Sequence, residues 1–392
     1  MGLAETTLAS RLDLSAPDED QAAMTDKELE QIKKRFGLAY KAGRYAESAA
    51  LATEGAALAK RLGDTTWRVR LRTWEGESHW QNKDISAAIA ALTEAAEETP
   101  GADPADSFNA ISTLLSIAVA ERPAAEARAL LARGHAHLER TGRTPSRHML
   151  DISEGNLAAR RGDWTEALFH YRAAYDHQLS DRGMPRFTEA SYISKLAEAS
   201  FMLGDAAGLE QWRAAINAVK LEVEGDHLRA EQIRMLCHRA GLTETEGAKT
   251  DASGAARRLL RWLEEFQGHR TEYARDALLV LLLHGDWLSV ETWIDYPGIG
   301  DDPLIAGDLH LARAREDLGL PPRDPVWPRS STTQVVSVPE SHRARAPEHL
   351  AAARAHYGSK RDWAAAEDAR LETDHHLRTL EQRLRWVDEL AA

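Results

Sequence analysis

Seven short turn signals, recurring roughly every 40 residues, constrain this 392-residue chain more than any other feature. The clearest unit runs from Gly155 to Tyr171: Gly155-Asn156-Leu157-Ala158-Ala159-Arg160-Arg161-Gly162-Asp163-Trp164-Thr165-Glu166-Ala167-Leu168-Phe169-His170-Tyr171. Gly162 tolerates the left-handed conformation that ends a helix. Asp163 can accept from the orphan N–H groups of the next helix, and Glu166 would complete a capping box. Ala167 is small where two antiparallel helices approach most closely, and Tyr171 packs one turn later.

The same punctuation recurs at Gly43-Arg44-Tyr45, Lys83-Asp84-Ile85, Arg122-Pro123-Ala124, Gly204-Asp205-Ala206, Gly285-Asp286-Trp287 and Arg361-Asp362-Trp363. Positions 43, 83, 122, 162 and 204 are 40, 39, 40 and 42 apart, and the steps to 285 and 361 are 81 and 76, close to two periods each. A non-repetitive fold has no reason to place its turns on such a lattice. The expected architecture is all-α, a solenoid of antiparallel helix pairs. Ala, Leu, Glu and Arg dominate, and these are strong helix formers. The one strand-like stretch is Thr332-Thr333-Gln334-Val335-Val336-Ser337-Val338.

Two units carry a fuller pattern. Trp74-Glu75-Gly76 is followed by Lys83-Asp84-Ile85, Ala88, Leu92, Ala95 and Pro100; Glu154-Gly155 is followed by Gly162-Asp163-Trp164, Ala167, Tyr171 and Ala174. This resembles the tetratricopeptide repeat, with a glycine in the first helix, a Gly-Asp-aromatic turn, an alanine and an aromatic in the second helix, and a closing proline. The resemblance covers residues 28–300 well and 345–392 weakly, at a spacing longer than the family's usual 34 residues. It implies a right-handed superhelix whose first helices line a concave groove.

Residues 1–24, poor in aromatics, read as a flexible tail, with Thr25 and Glu28 as a capping box for the first helix. Residues 25–319 form the expected array. Within it Gly241 to Gly254 reads as a long polar loop hiding a turn near 245, followed by a helix from Ala255 to Phe266. Residues 320–347 carry Pro321, Pro322, Pro325, Pro328, Pro339 and Pro347 and read as a non-helical insertion. Residues 348–392 form a C-terminal hairpin or cap. Its last helix, from Trp363 to Leu390, carries Leu377, Leu380, Leu384 and Val387 at coiled-coil spacing, suited to covering the end of the array or to a homodimer seam.

A net charge of −13 argues against nucleic acid as a partner. No apolar run approaches the length of a membrane span, and the N-terminus lacks a basic region followed by an apolar one; cytoplasmic placement is the expectation. The single cysteine, Cys237, sits in Met235-Leu236-Cys237 and reads as a small buried hydrophobe.

Nothing in the sequence matches a serine-hydrolase elbow, a zinc-protease helix, a Walker A loop or a Rossmann fingerprint. The sixteen histidines are scattered: His135 and His137 diverge on one helix, and His349 and His356 need a third partner to share an ion. No catalytic residue, metal site or cofactor is assigned. Eleven tryptophans against six phenylalanines are informative. Trp164, Trp287 and Trp363 fill the turn-aromatic slot, and Trp212 and Trp293 share a second-helix register, so these read as core. The resemblance places Tyr40, Thr73, Glu77, Trp80, Asn109, Ser112, Asn156, Ser194, Glu198 and Arg275 on the inner wall of a groove. A mixed aromatic and polar wall suits a peptide. The leading expectation is a non-catalytic scaffold with a protein or peptide partner. A peptide- or small-ligand-sensing regulator and a biosynthetic enzyme on a repeat scaffold are the alternatives.

Overall fold

A computed structural model describes residues 19–97, 101–142, 147–180, 189–221, 224–242, 246–265, 271–284, 286, 290, 292–293, 303–320, 324, 339–371 and 375–392. Among these the chain is all-helical, with no strand. The helices are α1 (Glu19–Lys41), α2 (Tyr45–Leu62), α3 (Thr65–Gln81), α4 (Ile85–Ala96), α5 (Pro104–Glu121), α6 (Ala124–Thr141), α7 (Arg147–Arg160), α8 (Trp164–Ser180) and α9 (Glu189–Leu203). They continue as α10 (Ala206–Ala218), α11 (Glu224–Arg239), α12 (Glu246–Glu265), α13 (Thr271–Leu283), α14 (Pro303–Asp317), α15 (Glu340–Arg343), α16 (Ala346–Leu371) and α17 (His375–Ala391). The strand-like stretch 332–338 lies outside the described residues.

The turns work as their chemistry dictates. Gly43, Gly162 and Gly204 adopt φ of 71°, 77° and 72°, and Lys83 takes the same left-handed conformation at 63° without glycine's freedom. Asp84, Asp163 and Asp205 each accept from the backbone N–H three residues on, at 3.0, 3.0 and 2.9 Å. Glu166 does only part of what a capping box requires, because its carboxylate pairs with Arg161. One further turn of this kind, at Gly63-Asp64, escaped the sequence lattice; Gly63 sits at φ 69° and Asp64 caps α3 through Trp67 N–H.

Three other expectations are corrected. The stretch read as a loop up to Gly254 is helical from Glu246, because Ala252, Ala255, Ala256, Leu259 and Leu260 form one buried stripe that outweighs its glycines. The turn at Arg361 is absent: α16 runs through it, the turn carries no glycine, and Lys and Arg extend helices readily. Thr25 stands inside α1, six residues past its start at Glu19. Of the proline-bearing segment 320–347, Leu320, Asp324 and residues 339–347 are described, and α15 and the first residues of α16 within it are helical.

The chain divides into two units at Thr113, inside α5. In the first, α1 packs on α2, α2 on α3 and α3 on α4. Leu29, Ile32, Ala56, Leu58, Ala59 and Leu71 form one cluster, and Phe36, Ala39, Leu51 and Ala52 another. In the second, each of α6 to α11 packs on its successor, α12 on α13, α14 on α16 and α16 on α17; α11 also reaches α9 and α13. Trp212 and Trp293 are buried in the core, Trp164 packs beside it, and Cys237 is fully buried. Trp287 and the side chain of Trp363 lie outside the described residues. Leu380 and Val387 are buried against Leu311, Leu350 and Tyr357, with Leu384 packed alongside, while the side chain of Leu377 is not described.

Close contacts between a glycine and a side chain of the next helix repeat in register. Gly55 faces Leu71, Gly76 faces Leu92, Gly134 faces Leu150 and Gly155 faces Tyr171, each glycine meeting the side chain sixteen residues later on the next helix. A methyl group at Gly76 or Gly155 would stand 2.4 Å from that partner, too near for any carbon pair. Glycine is what lets these helices touch.

Candidate functional site

The residues expected on an inner wall fall into both units, and the structure spends most of them on contacts within the chain. In the first unit, Glu77 on α3 accepts from Thr113 on α5 at 3.2 Å, one turn or more beyond the Arg70–Asp106 ion pair joining the same two helices. Thr73 and Ser112 are buried and donate to backbone carbonyls of Val69 and Asn109 in their own helices. Asn109 itself is exposed, Trp80 is half-buried near the end of α3, and Tyr40 stacks on Phe36 and meets Tyr45 edge-on.

In the second unit, Ser194 on α9 donates to Gln232 on α11 at 3.0 Å, and Gln232 donates onward to Asp276 on α13 at 3.5 Å. Glu198, one turn past Ser194, pairs with Lys195. Asn156 accepts from the hydroxyl of Tyr171 at 2.8 Å, which makes it the polar anchor of a buried ring. Arg275 donates to Asp308 on α14 at 2.9 Å.

Arg275 leads into a buried ionic network that sequence reasoning missed. Asp308 accepts from Tyr357 at 2.8 Å and Arg383 at 2.7 Å, as well as from Arg275. Arg239 pairs with Asp276 and donates to Asp324 at 2.6 Å, while its guanidinium lies 4.8 Å from the Phe201 ring centre. Arg239, Asp308, Asp324 and Arg383 are all buried. Burial alone would raise the Asp308 carboxyl, but Arg383 and Arg275 hold it down at about 2. Burial lifts Asp276 above the usual carboxylate range despite Arg239. Three arginines balance three aspartates, so the buried charge is neutral in sum. The separations of 85 residues for Arg239–Asp324 and 75 for Arg383–Asp308 explain why no local motif announced it.

The structure also gathers histidines that are dispersed in sequence. His135 of α6 and His170 and His177 of α8 converge on Asp151 and Glu154 of α7. His137, two residues from His135, is buried elsewhere beside Arg140, as helix geometry requires. On α14 and α16, His310 supplies the partner that His349 and His356 lacked: its Nδ1 is 3.2 Å from that of His349, and its ring stacks on His356 with centres 5.5 Å apart.

No family model matches the chain, and neither a curated protein nor a solved structure matches it. What the fold defines is a class, an all-α chain of consecutively packed helices, and any narrower statement rests on its own side chains.

Proposed function

We propose that this chain is a tetratricopeptide-like binding module of the cytoplasm, in which successive first helices present their polar faces to a peptide segment of a protein partner. The observation that carries this is the recurrence of side-chain contacts between alternate helices within each unit. Glu77 meets Thr113, Ser194 meets Gln232 and Gln232 meets Asp276, at sequence separations of 36, 38 and 44 residues. Polar side chains that meet in this way mark the same face of consecutive repeats, and the packing of α11 on both α9 and α13 supports a stack of helix pairs. Trp80, half-buried beside Glu77 in sequence register, supplies an aromatic anchor of the kind that dominates peptide recognition.

Affinity capture from native lysate tests the reading. The expected result is one protein recovered in stoichiometric amount and lost when bait carries Trp80→Ala with its thermal midpoint unchanged. Recovery of the bait alone, or capture indifferent to Trp80→Ala, overturns it.

A further inference from the structure

The contact between α7 and α8 places ligand-bearing side chains around one point. Asp151 and Glu154 are three apart and share a face of α7, and His170 faces them from α8. One ligand atom from each of the three lies within 4.8 Å of the others, and His170 Nδ1 is 3.2 Å from Glu154 Oε2. Glu154 and His170 immediately precede Gly155 and Tyr171, whose backbone and ring lie in close contact between the two helices. The position of the cluster is therefore set by a rigid packing contact.

We propose that Asp151, Glu154 and His170 bind a divalent transition cation of the zinc class. Two carboxylates and one imidazole form a mixed oxygen and nitrogen set suited to such an ion. Atoms bound to one such ion at about 2.1 Å stand roughly 3.5 Å apart, so closing the observed triangle requires small side-chain rotations only.

The second argument lies one layer out, where each of the two carboxylates has a histidine within hydrogen-bond reach. His177 Nδ1 is 2.7 Å from Asp151 Oδ2, His135 Nε2 is 3.2 Å from Glu154 Oε1, and Glu166 lies 3.9 Å from His170 Nε2. Glu154 thus turns one oxygen toward His135 and the other toward His170. A hydrogen-bonded partner behind a ligating carboxylate fixes its orientation, which is a common outer shell of a metal site. Arg147 approaches Asp151 at 3.7 Å from a largely exposed position, from which it can swing into solvent. Asp151 is buried, whereas Glu154 and His170 are partly open, so an ion can enter from their side and keep water in its remaining position.

The test is titration of tag-free, metal-stripped protein with Zn²⁺ by calorimetry and with Co²⁺ by visible absorption. One equivalent per chain is expected, with a cobalt ligand-field band and a rise in thermal midpoint on Zn²⁺ addition. His170→Gln and Glu154→Gln should abolish all three signals while circular dichroism of the metal-free protein stays unchanged. His177→Gln should weaken binding by about 10- to 100-fold, as loss of an outer-shell partner does. His310→Gln, in the other histidine group, should leave binding intact. Absence of saturable binding overturns the proposal, as does binding that survives both His170→Gln and Glu154→Gln or disappears with His310→Gln. If either variant misfolds, Asp151 is read instead through His177→Gln, which removes only its partner; unchanged affinity there also counts against the site.

Discussion

The ring of Tyr171 lies against the backbone of Gly155, so close that a β-carbon there would fall 2.4 Å from two ring atoms. The ring has little room to retreat, because its hydroxyl donates to Asn156 and it is buried in the second unit's core. Gly155→Ala should therefore cost about 1–3 kcal/mol through overpacking. Gly358→Ala in α16, where nothing lies within 4 Å, should instead stabilise by roughly 0.5–1 kcal/mol. Opposite shifts in the chemical-denaturation midpoint check the pair; shifts of equal sign would show that α7 and α8 are not in this contact.

Asn156→Ala should lower stability by about 1–3 kcal/mol, since it leaves the hydroxyl of a buried tyrosine without its acceptor. Adding Tyr171→Phe should recover much of the loss. A double-mutant cycle read by denaturation gives the coupling, and an additive result would mean that Asn156 faces outward.

Acid should release the Asp308 network. Its carboxyl is held at about 2 against an ordinary value of 3.8, so its stabilising share is complete above the ordinary value and is lost as pH falls toward about 2. By linkage the shift corresponds to about 2 kcal/mol. Asp276, shifted the opposite way, makes an opposite contribution in both proteins. Asp308→Asn should cost roughly 3–5 kcal/mol near neutrality, leaving Arg383 and Arg275 unbalanced, and its gap from the parent should narrow toward pH 2. Thermal midpoints across that range decide it.

His310 is held below the ordinary imidazole value, first by burial and then by His349 and His356, with Glu348 opposing. The unfolded chain takes up this proton more readily than the folded one. Stability at His310 is therefore present above the ordinary value of 6.5 and falls as pH drops below it. His310→Gln should flatten the dependence of the thermal midpoint between neutrality and about pH 5.

Cys237 should resist thiol reagents in the native state. Burial pushes its thiol up to about 12 and excludes solvent, so both the thiolate and its access are suppressed. Labelling with an aromatic disulfide should proceed only as fast as the protein opens; prompt reaction without denaturant would contradict the packing of α11.

The sequence made the punctuation legible because a helix end is local chemistry. Gly162 and Gly204 with Asp163 and Asp205 read the same in one dimension as in three. The reading failed where packing outweighed composition. Gly247 and Gly254 made the start of α12 look like a loop, although its alanine and leucine stripe needs a core to show its value. Arg361-Asp362-Trp363 copied the turn pattern without a glycine, and the helix ran on. Lys83 shows the reverse, a turn formed without the glycine that its neighbours use. Of the residues expected on an inner wall, Asn156 and Arg275 are committed to Tyr171 and Asp308. The Asp308 and Glu154 clusters draw on several helices each, and no spacing rule on one helix could have assembled them.

The wide span of the Arg239–Asp324 pair also bears on how the chain reaches this state. Glycine contacts sixteen residues apart close small loops and can form early, independently of one another. Bringing Asp324 to Arg239 across 85 residues, and Asp308 to Arg383 across 75, closes much larger loops at greater entropic cost. Hairpins should thus assemble first and the buried charges meet last. Substitutions at Arg239 or Arg383 would then quicken unfolding far more than they slow folding, so these ion pairs act chiefly as a brake on the native state's escape.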